Sequence, residues 1–195
     1  MSKVDDFSDC HPLDRKEWRD WLKENHDKLS GIWFVYFKKQ TGKPRVTYDE
    51  AVEEALCFGW IDSLPRKVDE NLSKLLFTPR KPNSVWSKLN KTRIEKLIES
   101  GSMTEIGLAK IESAKKDGSW NTLDASDNLE IPQDLAQALA ANEVAAKNFA
   151  AFSDAVKRVI LSWIFSAKRD ATRAARIEKT VVMSERNKRV NYDKD

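Results

Sequence analysis

The chain is short of the residues from which reaction centres are usually built: it holds two cysteines, two histidines and six glycines among 195 residues. Cys10 and Cys57 lie far apart in no paired motif, so two reduced thiols are expected rather than a bridge. With His11 and His26 they are the only soft or imidazole ligands, and none stands at zinc spacing, so no metal is expected. A Ser or Cys nucleophile needs a base within reach, and both imidazoles lie near the N-terminus; Cys57, beside Phe58 late in a helix, reads as a buried, inert thiol. The scattered glycines form neither GxGxxG nor GxxxxGK, which excludes the common phosphate loops and leaves no cofactor expected. The longest apolar runs, 32–37 and 159–165, fall far short of the roughly 20 residues of a membrane helix. The N-terminal stretch MSKVDDFSDCHPLDRKEW lacks the apolar core of a signal peptide, so a cytoplasmic location without membrane association is the expectation. There is no internal repeat and no low-complexity tract.

What is present points to a folded protein. Hydrophobic residues make up 41% of the chain, with seven tryptophans, and the length suits one sizeable core or a core with a helical part. The net charge of +3 hides an asymmetry. Residues 66–96 carry nine Lys or Arg against three acids, and 157–189 carry ten against three. Two basic segments on a nearly neutral chain suit an anionic ligand or partner, and solvated helix faces suit them equally. For nucleic acid, a pI near 8.7 is weak, and no helix-turn-helix, zinc-finger or RNP signature appears, so that partner is not expected.

Taken in order, Asp14 caps a helix to about residue 27, with Trp18, Trp21 and Leu22 at amphipathic spacing. The run 31–37 reads as a central strand apolar on both faces. Thr47 and Glu50 form a capping box for a helix that Gly59 ends. Residues 60–68 and 72–78 read as a hairpin kinked at Pro65, and Pro79 and Pro82 stop the sheet. Ser84 or Ser87 caps a helix with Trp86, Leu89, Ile94, Leu97 and Ile98 inward; Thr104 caps the next, which Gly118 stops. Pro132 opens one helix over 133–145. Ser153 caps another with the stripe Val156, Val159, Ile160, Trp163 and Ile164. A last helix, 171–185, turns Ala174, Ile177 and Val181 to one face, and the terminal ten residues are expected to fray. The expected fold is α+β: a small, mostly antiparallel sheet packed by helices over residues 1–118. A polar linker, 119–131, follows, then an all-helical C-terminal region, 132–195, docked on the core.

One stretch, 57–93, concentrates unusual side chains: Trp60, Asp62, Arg66, Arg80, Lys81, Ser84, Trp86, Ser87 and Asn90. Arg80-Lys81 followed by hydroxyl and amide side chains at a helix start offers donors for phosphate or carboxylate. Trp86 supplies either a stacking face or a core side chain. Asp62 shares a strand face with Trp60. Beside arginines its pKa falls, so an ion pair with Arg66 or Arg80 is expected before a role as catalytic acid or base. No catalytic residue is assigned; the alternatives are an enzyme using Asp62 as acid or base in the same pocket, or nucleic-acid binding through the two basic segments.

These residues also carry a resemblance. CFGWIDS, Arg66, Asp69-Glu70, FTPRKPNSVWSKLN, Arg93, Gly101 and Met103 resemble the YdeI/OmpD-associated, or bacteriocin-protection, proteins. So do Pro132, Asp134-Leu135, Ala138-Leu139, Asn142, Ala146, Phe149, Ala167-Lys168, Thr172-Arg173 and Arg176-Ile177. The chain departs from the family pattern at Ser73 and Leu76, in the returning strand. By its name the family is tied to tolerance of bacteriocins and to an outer-membrane porin, without an established reaction. The resemblance therefore implies a stress-protection protein, and brings no catalytic residues. Together with the residues above, the expectation is a cytoplasmic, non-enzymatic protein that binds a small anionic ligand.

Overall fold

The computed structural model describes residues 5–193, and along the chain it divides into two compact units, with the boundary after Trp120. In the first unit the elements are β1 (Asp9–Cys10), α1 (Arg15–Asn25), β2 (Ile32–Phe37), α2 (Tyr48–Cys57), β3 (Trp60–Lys67), β4 (Leu72–Pro79), α3 (Lys88–Glu99) and α4 (Glu105–Asp117). The second holds α5 (Asp124–Asp127), α6 (Gln133–Ala140), α7 (Glu143–Ala151), α8 (Asp154–Phe165) and α9 (Asp170–Glu185). The fold is α+β, with an all-helical C-terminal part, as expected. The expected linker, 119–131, carries a 3₁₀ turn at Ser119–Asn121 and then α5.

The sheet has the order β1-β2-β4-β3. The hairpin and the β2–β4 pair are antiparallel, while β1 lies parallel to β2. This first strand ties the stretch ahead of Asp14 to the sheet: Trp33 N–H donates to Ser8 O at 2.9 Å, and Asp9 pairs with Lys74 at 3.0 Å. A register shift between Asp62 and Pro65 marks a bulge in β3 where proline cannot donate. As its apolar alternation requires, β2 is covered on both faces. Phe34 faces the helices, with Trp18 at 4.9 Å between ring centroids and Phe77 at 5.6 Å. On the opposite face cations close over Trp33, Arg66 at 4.7 Å and Lys74 at 4.8 Å from the ring.

Local capping follows the residues that can supply it. Asp14 accepts from Glu17 N–H at 2.9 Å, and the Thr47–Glu50 box is complete at the start of α2. Within α2, Glu54 is 3% exposed and accepts from Arg15 Nε at 2.6 Å and Arg19 Nη1 at 2.5 Å, fastening α1 to α2. Two glycines allow α4 to come close. Gly59 has φ +71°, and a Cβ there would lie 2.6 Å from Lys110 Cγ. A Cβ on Gly107 would lie 2.5 Å from the Cys57 carbonyl, which also accepts the Thr104 hydroxyl.

Several inward assignments change. Leu89 and Ile98 are 59% and 48% exposed, because Arg93 takes the inward position of α3 to reach Asp49 on α2. The expected helix over 133–145 is two helices, since Asn142 caps α7 by accepting from Ala145 N–H at 3.0 Å. In α8 the buried stripe is Val156, Ile160, Leu161 and Ile164, which rotates Val159 out to 41% exposure. The end of the chain does not fray as far as Asp193: Val190 is buried and Arg189 pairs with Asp193. On α9 the buried residues are Ile177, Thr180, Met183 and Ser184, while Ala174 is exposed. Among the described residues no helix is long and apolar enough to cross a membrane.

Candidate functional site

Nine residues of the 57–93 stretch were expected to mark a site, and the structure divides them. Arg80, Lys81, Ser84 and Trp86 line one small cleft, completed by Lys110, Ser113 and Asp117 from α4 and Ser119 just beyond it. The other five have local tasks. Trp60 is buried at the start of β3, where its indole N–H donates to His26 O at 3.0 Å. Arg66 pairs with Asp5 at 2.7 Å and covers Trp33, toward the turn of the hairpin. Ser87 caps α3, accepting from Asn90 N–H at 3.3 Å, and Asn90 Oδ1 accepts from Arg93 at 3.0 Å. Asp62 does not form the expected ion pair; it accepts the Tyr48 hydroxyl at 2.9 Å. Its partner comes from α2, and burial followed by the Asp62 contact pushes the Tyr48 phenol up to about 12.

The cleft is built by chain turns on either side. The Arg80 N–H donates to Gly59 O at 2.9 Å, which ties the end of β4 to the start of β3. Asn83, at φ 60°, donates its N–H to Asp117 at 3.0 Å and so draws the 80–84 turn against the end of α4. Gly118, at φ 81°, ends that helix and turns the chain so that Ser119 is buried. Arg80 itself is only 4% exposed. Its guanidinium lies 3.5 Å over the Trp86 ring, one terminal nitrogen donates to Val85 O at 3.2 Å, and Nε has no hydrogen-bond partner. Trp86 is in turn packed on Trp120 at 5.2 Å.

A buried donor without an acceptor costs about 1–3 kcal/mol, and more on a charged group. Burial pushes the Arg80 guanidinium down to about 10, against the opposing charge of Asp62, so the group is still a cation at neutral pH. Among the described residues, the Ser119 hydroxyl is the other buried side-chain polar atom without a hydrogen-bond partner. It sits close enough to Asp117 to help hold that carboxyl below the usual carboxylate range, together with the Ser119 and Asn83 N–H groups, but does not reach hydrogen-bond geometry. The cleft thus presents Arg80, Lys81 and Lys110 against one carboxylate that backbone donors already occupy. Its enclosed volume is about 30 Å³, room for one water-sized group rather than a whole metabolite.

A wider cleft of about 670 Å³ is lined by Arg15, Arg19 and Lys96, but both arginines there are paired with Glu54. Burial, with Glu17 and Glu54 adding to it, pushes the Cys10 and Cys57 thiols up to about 11. Among the described residues no cluster of three or more His, Cys, Asp or Glu could hold a metal ion. Lys110, Ser113, Asp117 and Ser119 escaped the sequence reading; the only local sign of them is the Asp-Gly-Ser that ends α4.

These geometries belong to an α+β unit with a cationic cleft, followed by an all-helical unit. Residues 10–110, just over half of the chain, match the family model described as "Domain of unknown function (DUF8412)", and the chain belongs to that family. Residues 128–187 match the model "Bacteriocin-protection, YdeI or OmpD-Associated", the family whose resemblance the sequence carries. The distinctive CFGWIDS and FTPRKPNSVWS motifs fall within the first match, and the first match ends at Lys110, before Asp117 and Ser119. No curated protein and no solved structure matches the chain.

Proposed function

We propose that the protein is a non-catalytic, bacteriocin-protection-like binding protein of the cytoplasm, whose N-terminal unit captures the terminal phosphate or carboxylate of a small ligand. The observation that carries this reading is the buried Arg80 Nε, left without an acceptor in a cleft shared with the unsatisfied Ser119 hydroxyl, Lys81 and Lys110. An oxyanion there accepts from both orphans, while Lys81 and Lys110 attract it from the rim. The small enclosed volume restricts recognition to one anionic group, and the remainder of the ligand stays in solvent. The individual cations of the basic segments support this over nucleic acid. Arg66, Lys74, Arg93, Arg173 and Arg189 each hold a carboxylate of this chain, which is not how a phosphate-binding surface is laid out.

The test is thermal unfolding of the full chain with a panel of phosphate- and carboxylate-bearing metabolites. Millimolar affinity is the scale for one such group, and at about ten times Kd the stabilisation is about 1.4 kcal/mol, a few degrees in Tm for a chain of this size. Arg80→Ala is expected to abolish the shift, and Lys110→Ala, at the rim, to weaken it without changing the unliganded Tm. A panel without any shift, or shifts that survive in both variants, sinks the reading.

A further inference from the structure

The second unit carries a groove that the anion cleft does not involve. It runs between α6 and α9 and encloses about 670 Å³. Its walls are apolar: Ala138 and Ala141 on one side, Ala174, Ile177, Val181 and Val182 on the other. The alanines create the hollow, since larger side chains at these positions would fill it. Ala174 and Ala141 are exposed and Val182 is 39% exposed, so the apolar wall is open to solvent.

The charged residues that line the groove are three carboxylates and one guanidinium. Arg173 is consumed by Asp134, Nε at 2.6 Å and Nη2 at 3.0 Å, a two-point bridge that also braces α6 against α9. That leaves Asp170 and Glu178 on the rim, both carboxylates; Arg173 attracts Asp170 at longer range without hydrogen-bonding to it. Outside these four lining residues the unit holds eleven Lys or Arg against eight acids, so the groove, with three carboxylates and one guanidinium, is a local negative site on a unit of opposite charge. Asp170 and Glu178 are eight residues apart on one helix, about 12 Å along its axis, and the wall from 170 to 182 extends about 18 Å.

From this complementarity we infer that the α6–α9 groove docks a cationic amphipathic helix of a partner polypeptide. About three turns of such a helix match the length of the wall. Apolar residues at i, i+4 and i+7 enter the hollow over Ile177 and Val181, while Lys or Arg side chains about two turns apart meet Asp170 and Glu178. The partner is a polypeptide helix rather than an extended strand, because the groove is bounded by helix faces and the unit has no sheet edge among its described residues for a strand to extend. An acidic or neutral amphipathic helix would meet the same floor but be repelled or left unmatched at the rim.

The experiment uses the full chain and a labelled 14-residue peptide of alternating Leu and Lys blocks with helical amphipathic spacing, read by fluorescence anisotropy. Saturable binding is expected. Glu178→Lys should weaken it about tenfold, since one attraction becomes a repulsion. Ala174→Phe fills the hollow and should abolish binding, and Glu99→Lys, an exposed site in the first unit, should leave it unchanged. The same peptide with Glu in place of Lys should not bind. Equal binding of the two peptides, indifference to Glu178→Lys and Ala174→Phe, or no binding at all overturns the inference. So does concentration-dependent self-association of the chain that Ala174→Phe removes, which would make a second copy the occupant.

Discussion

Adding one methyl group at Gly107 sets two principles against each other. Gly107 lies in the first turns of α4, a helix position where alanine is favoured over glycine by about 1 kcal/mol on propensity alone. Its surroundings argue the opposite. The new Cβ would stand 2.5 Å from Cys57 O, 2.8 Å from Leu56 O and 2.6 Å from Met103 Sδ. The sulfur can move, but the two carbonyls are backbone at the end of α2. To restore ordinary contact at 3.4 Å, α4 must retreat from α2 by close to one ångström. That movement pulls the Thr104 hydroxyl from Cys57 O and loosens Ile111 and Ala114 in the core. Overpacking of this kind costs about 1–3 kcal/mol and the lost hydrogen bond about 1 more, so Gly107→Ala should destabilise by about 1–3 kcal/mol after the propensity gain is subtracted. Urea unfolding of the variant and parent measures the difference directly through the midpoint at unchanged slope. Because α4 carries Lys110, Ser113 and Asp117, the same retreat should also reduce the thermal response to phosphate- or carboxylate-bearing ligands. A variant as stable as the parent, or more so, would refute the close approach of α4 to α2.

Two further outcomes follow from buried and half-buried charge. Glu54→Gln leaves Arg15 and Arg19 without their shared carboxylate; both side chains are more than a third exposed. The loss should therefore be about 2 kcal/mol, below the 3–5 kcal/mol of a fully buried pair, and urea unfolding with no loss would contradict the bridge. At alkaline pH, Tyr48 should ionise near 12 while an unperturbed tyrosine does so near 10. Its folded pKa is raised, so its contribution to stability is whole below the unfolded value and disappears as pH rises from 10 to 12. Phenolate absorbance should show one late-titrating tyrosine, which Asp62→Asn moves only part of the way back because burial is the larger cause. The absence of any late-titrating tyrosine contradicts the contact.

Much of the fold was legible because it is decided locally. Asp14, Thr47 with Glu50, Ser153 and Pro65 act through neighbours a few residues away, and each does what its chemistry requires. Burial at the margins of a helix was not legible, because it depends on the surface that covers it. Leu89 and Ile98 have the right spacing, yet Arg93 is the residue whose partner lies across the interface. The site shows the same division. Arg80 and Trp86, six residues apart, could be read together; Lys110 and Ser119 arrive from about thirty residues further on, brought there by Gly59, Gly107 and Gly118. Asp62 had arginines nearby in sequence, but the closest donor in space is a tyrosine of the preceding helix.

The bulge in β3 has a consequence for the chain in company. β3 is an edge strand, and a long regular edge invites addition of a strand from a neighbouring molecule. Here Pro65 removes a donor, the register shift beside it bends the ladder, and Arg66 and Lys67 place two cations on the same few residues. The opposite edge is the two-residue β1, too short to template a partner. Neither edge of the sheet therefore presents a long regular ladder to a neighbouring molecule, the arrangement that disfavours edge-to-edge association of sheets.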